Sequence, residues 1–214
     1  MTAFSRRAFT AAALASVLTA CGGGTPAPSR ATAPAPSPRP GAGGGSPRPA
    51  AGSRPSAGPA PVRLMVPAIG VDTPVMPLGL AADGTVRVPP VEPDDRVGWY
   101  RHSPVPGRTG PSVLLGHVTV GRYGDGVFRH LARLRPGDRI EARLENGTAA
   151  VFAVTAVRTV PKDDFPVDDV YGNVDRPEVR LITCGGARTG DGYADNVIVF
   201  GVQDAAESPT SGER

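Results

Sequence analysis

Two side chains of this sequence have the chemistry for nucleophilic catalysis, and each stands at the end of a predicted strand. Cys184 follows the β-rich run Leu181–Thr183 and precedes a pair of glycines, and His117 follows the apolar run Val113–Leu115 and one glycine. A thiol that attacks a carbonyl needs a proton acceptor, and a departing amine needs a proton donor. The two residues therefore predict a Cys/His transferase site, provided that the fold brings them together.

The cysteine count supports a working role for Cys184. The chain has two cysteines, and an exported protein often pairs them. If Cys21 carries a lipid, as its sequence context below indicates, Cys184 is a free thiol in an oxidising compartment, where oxidation is a hazard. The other interpretation is a buried structural cysteine that packs as a small hydrophobe.

The remaining histidines are weaker candidates for the base. His102 lies in a predicted loop, and His130 lies in a short segment predicted to be helical, so that each fits an ordinary surface or capping histidine. Three histidines, one cysteine in the folded part and no clustered ligand spacing argue against a zinc site. We expect no metal and no cofactor.

Residues 1–20 predict an export signal. Arg6 and Arg7 precede the apolar stretch Ala8–Ala20, which is too short to span a bilayer as a helix. The arginine pair resembles a twin-arginine signal, with an ordinary Sec signal as the alternative. The run that ends in Cys21 resembles a bacterial lipobox, which predicts a lipid anchor on the outer face of the cell membrane.

Residues 21–61 contain little except Gly, Pro, Ala and Ser with scattered Arg. Such a segment cannot bury enough apolar surface to become ordered, so it predicts a disordered tether. As a flexible coil this tether would span on the order of 35 Å. Residues 204–214 predict a disordered tail.

The charge distribution argues against a nucleic-acid partner. The chain has 23 basic and 20 acidic residues, but six arginines precede Pro61 and no acidic residue precedes Asp72. The part from Pro61 onward therefore has 17 basic and 20 acidic residues and is slightly acidic. A nucleic-acid-binding domain would show the opposite balance.

Short β-branched runs separated by Gly, Pro, Asp and Asn fill residues 62–203. Their number and spacing predict an all-β fold, a closed or nearly closed barrel of about eight strands. Asn146-Gly147 predicts a tight hairpin turn, and only 127–134 and 167–171 look helical. The predicted strands are Val62–Val66, Val71–Leu78, Thr85–Val88, Val97–Arg101, Ser112–Val118, Asp138–Leu144, Thr148–Val160, Val179–Cys184 and Asn196–Val202.

The motifs around the two candidates resemble those of the sortases, cysteine transpeptidases of Gram-positive surfaces. Leu181–Cys184 matches their L-x-T-C signature, and Gly116–Val118 matches their histidine strand. A wider set of motifs resembles the class F branch of actinobacteria, and the resemblance covers about residues 62 to 203. This set is Gly98–Tyr100, Leu134–Asp138, Pro161–Pro166, Val170–Gly172, Thr183–Gly186 and Tyr193–Val197.

The resemblance implies an eight-stranded sortase barrel and a two-step acyl transfer. By this analogy Cys184 attacks the Thr–Gly carbonyl of an LPXTG-like sorting signal on a secreted protein and forms a thioacyl enzyme. An amine, commonly from a peptidoglycan precursor, or water then releases the product, and His117 acts as acid and base. An arginine on the strand after the cysteine would hold the substrate and the developing oxyanion.

This sequence departs from the pattern at that arginine. By alternation Ala194 and Asn196 occupy the expected face of the last strand, and neither is basic. Arg188, in the predicted turn, is the substitute that we favour. Arg180 is four residues from the cysteine, roughly 13 Å along a strand. Asn196 is a neutral alternative, and Thr183 either supports the site through its hydroxyl or simply favours the strand.

Two other interpretations stay open. The first is another Cys/His transpeptidase of the cell wall. Against it, the cysteine motif typical of L,D-transpeptidases is missing, and papain-like peptidases place Cys before His in the sequence, the opposite of the order here. The second is a catalytically weak or inactive sortase-like lipoprotein that binds sorting signals or cell-wall components, and the missing arginine favours it.

Overall fold

The computed structural model describes residues 56–92, 95–190 and 192–204. The signal, Cys21, most of the tether and the predicted 204–214 tail beyond its first residue lie outside these residues. Eight strands form a closed barrel, which confirms the predicted fold. They are β1 (Pro61–Val66), β2 (Val71–Leu78), β3 (Val97–Tyr100), β4 (Gly110–Leu115), β5 (Arg139–Leu144), β6 (Ala149–Pro161), β7 (Pro177–Thr189) and β8 (Gly192–Gln203).

The order of strands around the barrel is β1-β2-β3-β4-β7-β8-β6-β5, and β5 closes on β1. Six neighbouring pairs are antiparallel, while β2 with β3 and β4 with β7 run parallel. The two strands start together, Gly110 beside Pro177, but β4 ends at Leu115 beside Ile182 while β7 continues to Thr189. This pairing decides where the candidate site forms.

The predicted hairpin turn at Asn146-Gly147 joins β5 to β6. Gly147 has φ +83°, a conformation that a side chain makes costly, and its amide donates to the carbonyl of Leu144. The side chain of Asn146 also accepts a hydrogen bond from the amide of Thr148. The turn residues thus fold as their types indicate.

Helical structure is short. The predicted helix at 167–171 is present as α1 (Val167–Tyr171), but the one predicted at 127–134 is wrong, because only a 3-10 turn at Leu131–Arg133 forms there. The amide of Phe128 bonds the distant carbonyl of His117 instead of a helical neighbour. Further 3-10 turns are Pro67–Ile69, Gly121–Tyr123 and Lys162–Asp164.

The strand predicted at Thr85–Val88 is also wrong. A single bridge between Leu80 and Val86 is all that forms there. Arg87 donates its amide to the carbonyl of Gly79, so the segment folds back on itself within the β2–β3 connection. Val86 is buried in this fold-back, while Val88 is exposed. The apolar residues that predicted a strand therefore belong to a loop that buries one of them.

Two clusters of buried side chains lie on the two faces of the barrel wall. The first fills the interior and includes strand residues such as Leu114, Leu181 and Val199. The second lies on the outer face, where Ile182 and Ile198 pack beneath α1 and the β2–β3 connection. None of the helices among the described residues has the length and apolar character that a membrane span requires.

Candidate active site

The parallel pairing of β4 with β7 brings the two predicted catalytic residues to one edge. Leu115 is the register partner of Ile182, and the amide of Gly116 donates to the carbonyl of Ile182 at 3.1 Å. Residues 117 and 184 each follow this last pair by two positions. His117 lies just beyond the end of β4 and Cys184 lies within β7, so the pairing brings the two chain segments that carry them side by side.

Cys184 lies on the outer face of the barrel wall. It is a free, half-buried cysteine, and its partner on β8 is Asn196. Directly opposite residues of antiparallel strands point to the same side, so the amide of Asn196 shares a face with the thiol. Two residues on, Gly186 has φ +72°, and a Cβ there would overlap the carboxylate of Asp195. Glycine is thus required beside the thiol.

His117 is held through both its ring and its backbone. Its Nε2 lies 2.7 Å from the carbonyl oxygen of Pro89, which belongs to the β2–β3 connection. Its own carbonyl accepts a hydrogen bond of 2.9 Å from the amide of Phe128. Gly126 packs so closely that a Cβ would overlap the carbonyl of His117.

Arg188 is not in a turn, because β7 extends to Thr189 and pairs Arg188 with Tyr193. The exposed guanidinium carbon lies 6.0 Å from the centre of the Tyr193 ring. The Tyr193 hydroxyl in turn lies 3.4 Å from the hydroxyl of Thr119, two residues after His117. Arg188 therefore flanks the edge at which the site forms, four residues along β7 from the cysteine.

Thr183 is on the opposite face from the cysteine. It pairs with Val197, a member of the interior cluster, and it is 4% exposed. Its hydroxyl oxygen is buried and, within the part of the chain that the structure describes, has no hydrogen-bond partner. From this position its side chain faces the barrel interior and not the thiol.

Arg180 shares the outer face with Cys184 but is fully engaged. Its side chain is 4% exposed, donates to Glu178 at 2.6 Å and to the carbonyl of Asp169 at 3.1 Å, and packs on the ring of Phe200. Burial lowers the pKa of Arg180, and the bond and charge of Glu178 oppose that shift. The side chain cannot turn toward the thiol without breaking these bonds.

The family comparison decides the assignment of the barrel. The sortase domain family matches residues 64–204 of the chain, the region that holds nearly all of the barrel. This chain belongs to the sortase family.

Solved sortase structures agree on the fold. Sortase C-1 from Actinomyces oris is 22% identical with a TM-score of 0.52, covering 69% of this chain and 73% of that one. A lid mutant of sortase A from Corynebacterium diphtheriae is 19% identical with a TM-score of 0.53, covering 68% and 70%. Sortase C from Streptococcus pneumoniae is 18% identical with a TM-score of 0.53, covering 71% and 68%. At these identities the likeness concerns the fold alone.

A curated protein, syringomycin synthase SyrB1 of Pseudomonas syringae pv. syringae, is 32% identical over 92 residues. These residues are 39% of this sortase chain and 15% of the synthase. The chain thus spans a small part of that protein's length, and the match carries no argument about activity.

Asp95 is a residue near the sortase site that the sequence analysis missed. Its Oδ2 accepts a short hydrogen bond from the amide of Val127, and its Oδ1 is buried without a donor among the described residues. Burial raises the pKa of Asp95, while the Val127 amide and the charge of His117 act in the opposite direction. Asp95 is one of three acidic residues, with Glu92 and Asp94, in the segment just ahead of the buried strand β3, and nothing in the sequence distinguishes it from the other two.

The other two histidines of the sortase domain lie elsewhere. The ring of His102 packs 5.4 Å from that of Tyr100. His130 precedes the 3-10 turn at Leu131–Arg133 and lines a cavity that Asp95 and Val127 also line. Across the described ranges no three His, Cys, Asp or Glu residues cluster as metal ligands would.

Proposed function

We propose that this sortase is a cysteine transpeptidase that cleaves an LPXTG-like sorting signal and transfers the acyl group to an amine or to water. The observation that carries the proposal is the parallel pairing of β4 with β7, whose last pair, Leu115 with Ile182, stands two residues before both His117 and Cys184. Membership of the sortase family supports a sorting transpeptidase in general. Cys184 is only half-buried, which is compatible with the approach of an extended peptide.

In the proposed reaction, the thiol of Cys184 passes its proton to His117 and attacks the Thr–Gly carbonyl carbon. The tetrahedral intermediate collapses to a thioester while the imidazolium protonates the departing glycine amine. An incoming amine then gives a proton to the imidazole as it attacks the thioester. The new amide leaves, and Cys184 recovers its proton.

The developing oxyanion needs a hydrogen-bond donor on the face of the thiol. Asn196 is the register partner of Cys184 and supplies a neutral amide at that place. Arg188 supplies a positive charge but lies beyond the bulge that interrupts the β7–β8 register between Gly185 and Arg188. We assign the donor role first to Asn196 and second to Arg188.

The motifs of the sequence further support a class F-like enzyme anchored by lipid on Cys21 outside the cytoplasmic membrane. Its partners would be secreted proteins with a C-terminal sorting signal, an amine such as a peptidoglycan precursor, and the membrane itself. The disordered tether would let the barrel work at a distance from its anchor.

The test is cleavage of an LPXTG-type peptide by the wild type, Cys184→Ala and His117→Ala. We expect each variant to lose turnover while its thermal unfolding midpoint stays near that of the wild type. A methanethiosulfonate reagent should label Cys184 readily, since a catalytic thiol is accessible and forms thiolate. A variant with normal turnover would remove its residue from the mechanism.

The second candidate function is a sortase-like lipoprotein that binds sorting signals without turnover. The observation that favours it is the lack of an arginine on the β8 face next to Cys184, where Ala194 and Asn196 stand. Peptide binding by the wild type with no cleavage, and with an inert thiol, would select this function over catalysis.

A further inference from the structure

The β2–β3 connection reaches His117 from two sides. Near its middle, the carbonyl oxygen of Pro89 lies 2.7 Å from Nε2 of the ring. Near its end, the carboxylate of Asp95 accepts a hydrogen bond from the amide of Val127. The next amide along the chain, that of Phe128, donates to the carbonyl of His117. The proposed function uses neither of these contacts.

The contact with Pro89 fixes the tautomer of His117. A carbonyl oxygen only accepts hydrogen bonds, so Nε2 must carry a proton to bond it. In the neutral ring Nδ1 then holds the lone pair and is the nitrogen free to accept a proton. The ring becomes protonated on both nitrogens, and its bond to Pro89 persists in the charged form.

A second chain of contacts fixes the backbone that carries this ring. Oδ2 of Asp95 holds the amide of Val127, and the next amide, that of Phe128, donates to the carbonyl of His117 at 2.9 Å. The amide of Gly126 donates to Val118 at 3.0 Å from the other side. Segment 126–128 is therefore the support of His117, and Asp95 is the side chain that anchors it.

We propose that Asp95 is a positioning residue for His117, which together with the Pro89 carbonyl holds the ring in the Nε2-protonated form with Nδ1 turned to the thiol. The proposal rests on the proposed function for its catalytic consequence. In the proposed reaction Asp95 acts through segment 126–128 and not on the substrate or the thiol.

The surroundings of Asp95 argue against a purely structural role. One of its oxygens is buried without a donor among the described residues, and a buried acceptor without a donor is destabilising. Burial also raises its pKa, which means that the fold disfavours the ionised form. An asparagine would keep an oxygen for the Val127 amide and remove the buried charge, so Asp95→Asn should be at least as stable as the wild type.

The experiment compares Asp95→Ala with Asp95→Asn, using kcat, KM and the ¹⁵N signals of the His117 ring, assigned by their loss in His117→Ala. Asp95→Ala should lower kcat by about 10- to 100-fold with KM little changed, because small displacements of a catalytic group have costs of this size. Asp95→Asn should recover most of that loss, since an amide oxygen still anchors Val127. The matched control is Asp125→Asn, whose carboxylate pairs with exposed Arg129, and it should behave as the wild type.

The ring signals make the test independent of turnover. In the wild type they should show a protonated Nε2 and an unprotonated Nδ1, and in Asp95→Ala a mixture of both tautomers. A wild-type ring protonated on Nδ1, an Asp95→Ala variant with unchanged kcat and ring signals, or an Asp95→Asn variant no better than Ala would each overturn the proposal. If the wild type shows the expected ring signals but cleaves no peptide, the proposed function fails while the orientation of His117 stands.

Discussion

At the scale of single residues, the β8 face beside Cys184 carries Asn196 where the resemblance led us to expect an arginine. A neutral amide donates a weaker hydrogen bond to an oxyanion than a guanidinium does. Its advantage here is position, because the register sets it directly across from the cysteine. Arg188 carries a positive charge, but its register partner is Tyr193 and it does not stand across from Cys184.

This contrast gives a test with two variants. Asn196→Ala should lower kcat by about 10²-fold, the usual consequence of losing one oxyanion donor. Arg188→Ala should lower it less, since its guanidinium leans over Tyr193. Steady-state kinetics on the sorting peptide measure both. If instead Arg188→Ala loses about 10²-fold in kcat and Asn196→Ala loses less, Arg188 is the oxyanion donor, as the sequence analysis expected.

At the scale of elements, Arg180 joins β7 to α1 and also forms a buried ion pair within β7. Arg180 bonds Glu178 on its own strand and the carbonyl of Asp169 on the helix. For Glu178, burial alone would raise the pKa, but hydrogen bonds from Arg176 and Arg180 and their charges outweigh it, so the net pKa is lowered. A lowered pKa in the folded state means that the ionised carboxylate stabilises the fold.

The stabilisation by Glu178 should therefore depend on pH. It is present above the ordinary glutamate pKa of 4.5 and is lost as the pH falls toward the lower value of the folded state. Glu178→Gln leaves Arg180 charged, buried and without its carboxylate, so unfolding should become easier by about 3 kcal/mol at neutral pH. Chemical denaturation at several pH values measures this difference, which should shrink on acidification.

The control for this ion pair is Asp72→Asn. Its partner Arg63 and its own carboxylate are both about half exposed, at 47% and 52%. Exposed pairs are screened by water and contribute little, so this variant should unfold close to the wild type. An equal loss in both variants would show that Glu178 has no special part in holding α1.

At the scale of the whole molecule, residues ahead of β1 already form hydrogen bonds with the barrel. Ser56 donates its amide to the carbonyl of Arg101 and its hydroxyl to that of Ser103. Ala60 exchanges hydrogen bonds with Glu145. A fragment of residues 56–214 keeps these bonds and lacks Cys21.

We therefore expect the 56–214 fragment to match the full chain in its unfolding midpoint and in kcat/KM on a soluble sorting peptide. The two should differ in location, because acyl chains on Cys21 would hold the full chain at the membrane. Expression in a Gram-positive host followed by membrane fractionation measures this. Full-chain protein in the soluble fraction, or a Cys21→Ser variant that stays with the membranes, would contradict the lipid anchor.

Local features of the sequence were sufficient for much of the fold. Alternation of β-branched residues marked most of the strands, and Asn146-Gly147 marked a turn, because each depends on neighbours within a few positions. The same local reasoning failed at 127–134 and at Thr85–Val88. Both segments bury apolar side chains against distant strands, and their backbone bonds go to partners outside any regular ladder.

The sequence by itself identified the side chains that could act chemically, the thiol of Cys184 and the imidazole of His117. Only the tertiary structure decided their surroundings: that β4 lies beside β7, that Asn196 pairs with Cys184, that Arg180 is bound elsewhere and that Asp95 bonds the amide of Val127. The physical reason is that strand neighbours in a closed barrel are chosen by long-range pairing, and no short run of residues contains that information.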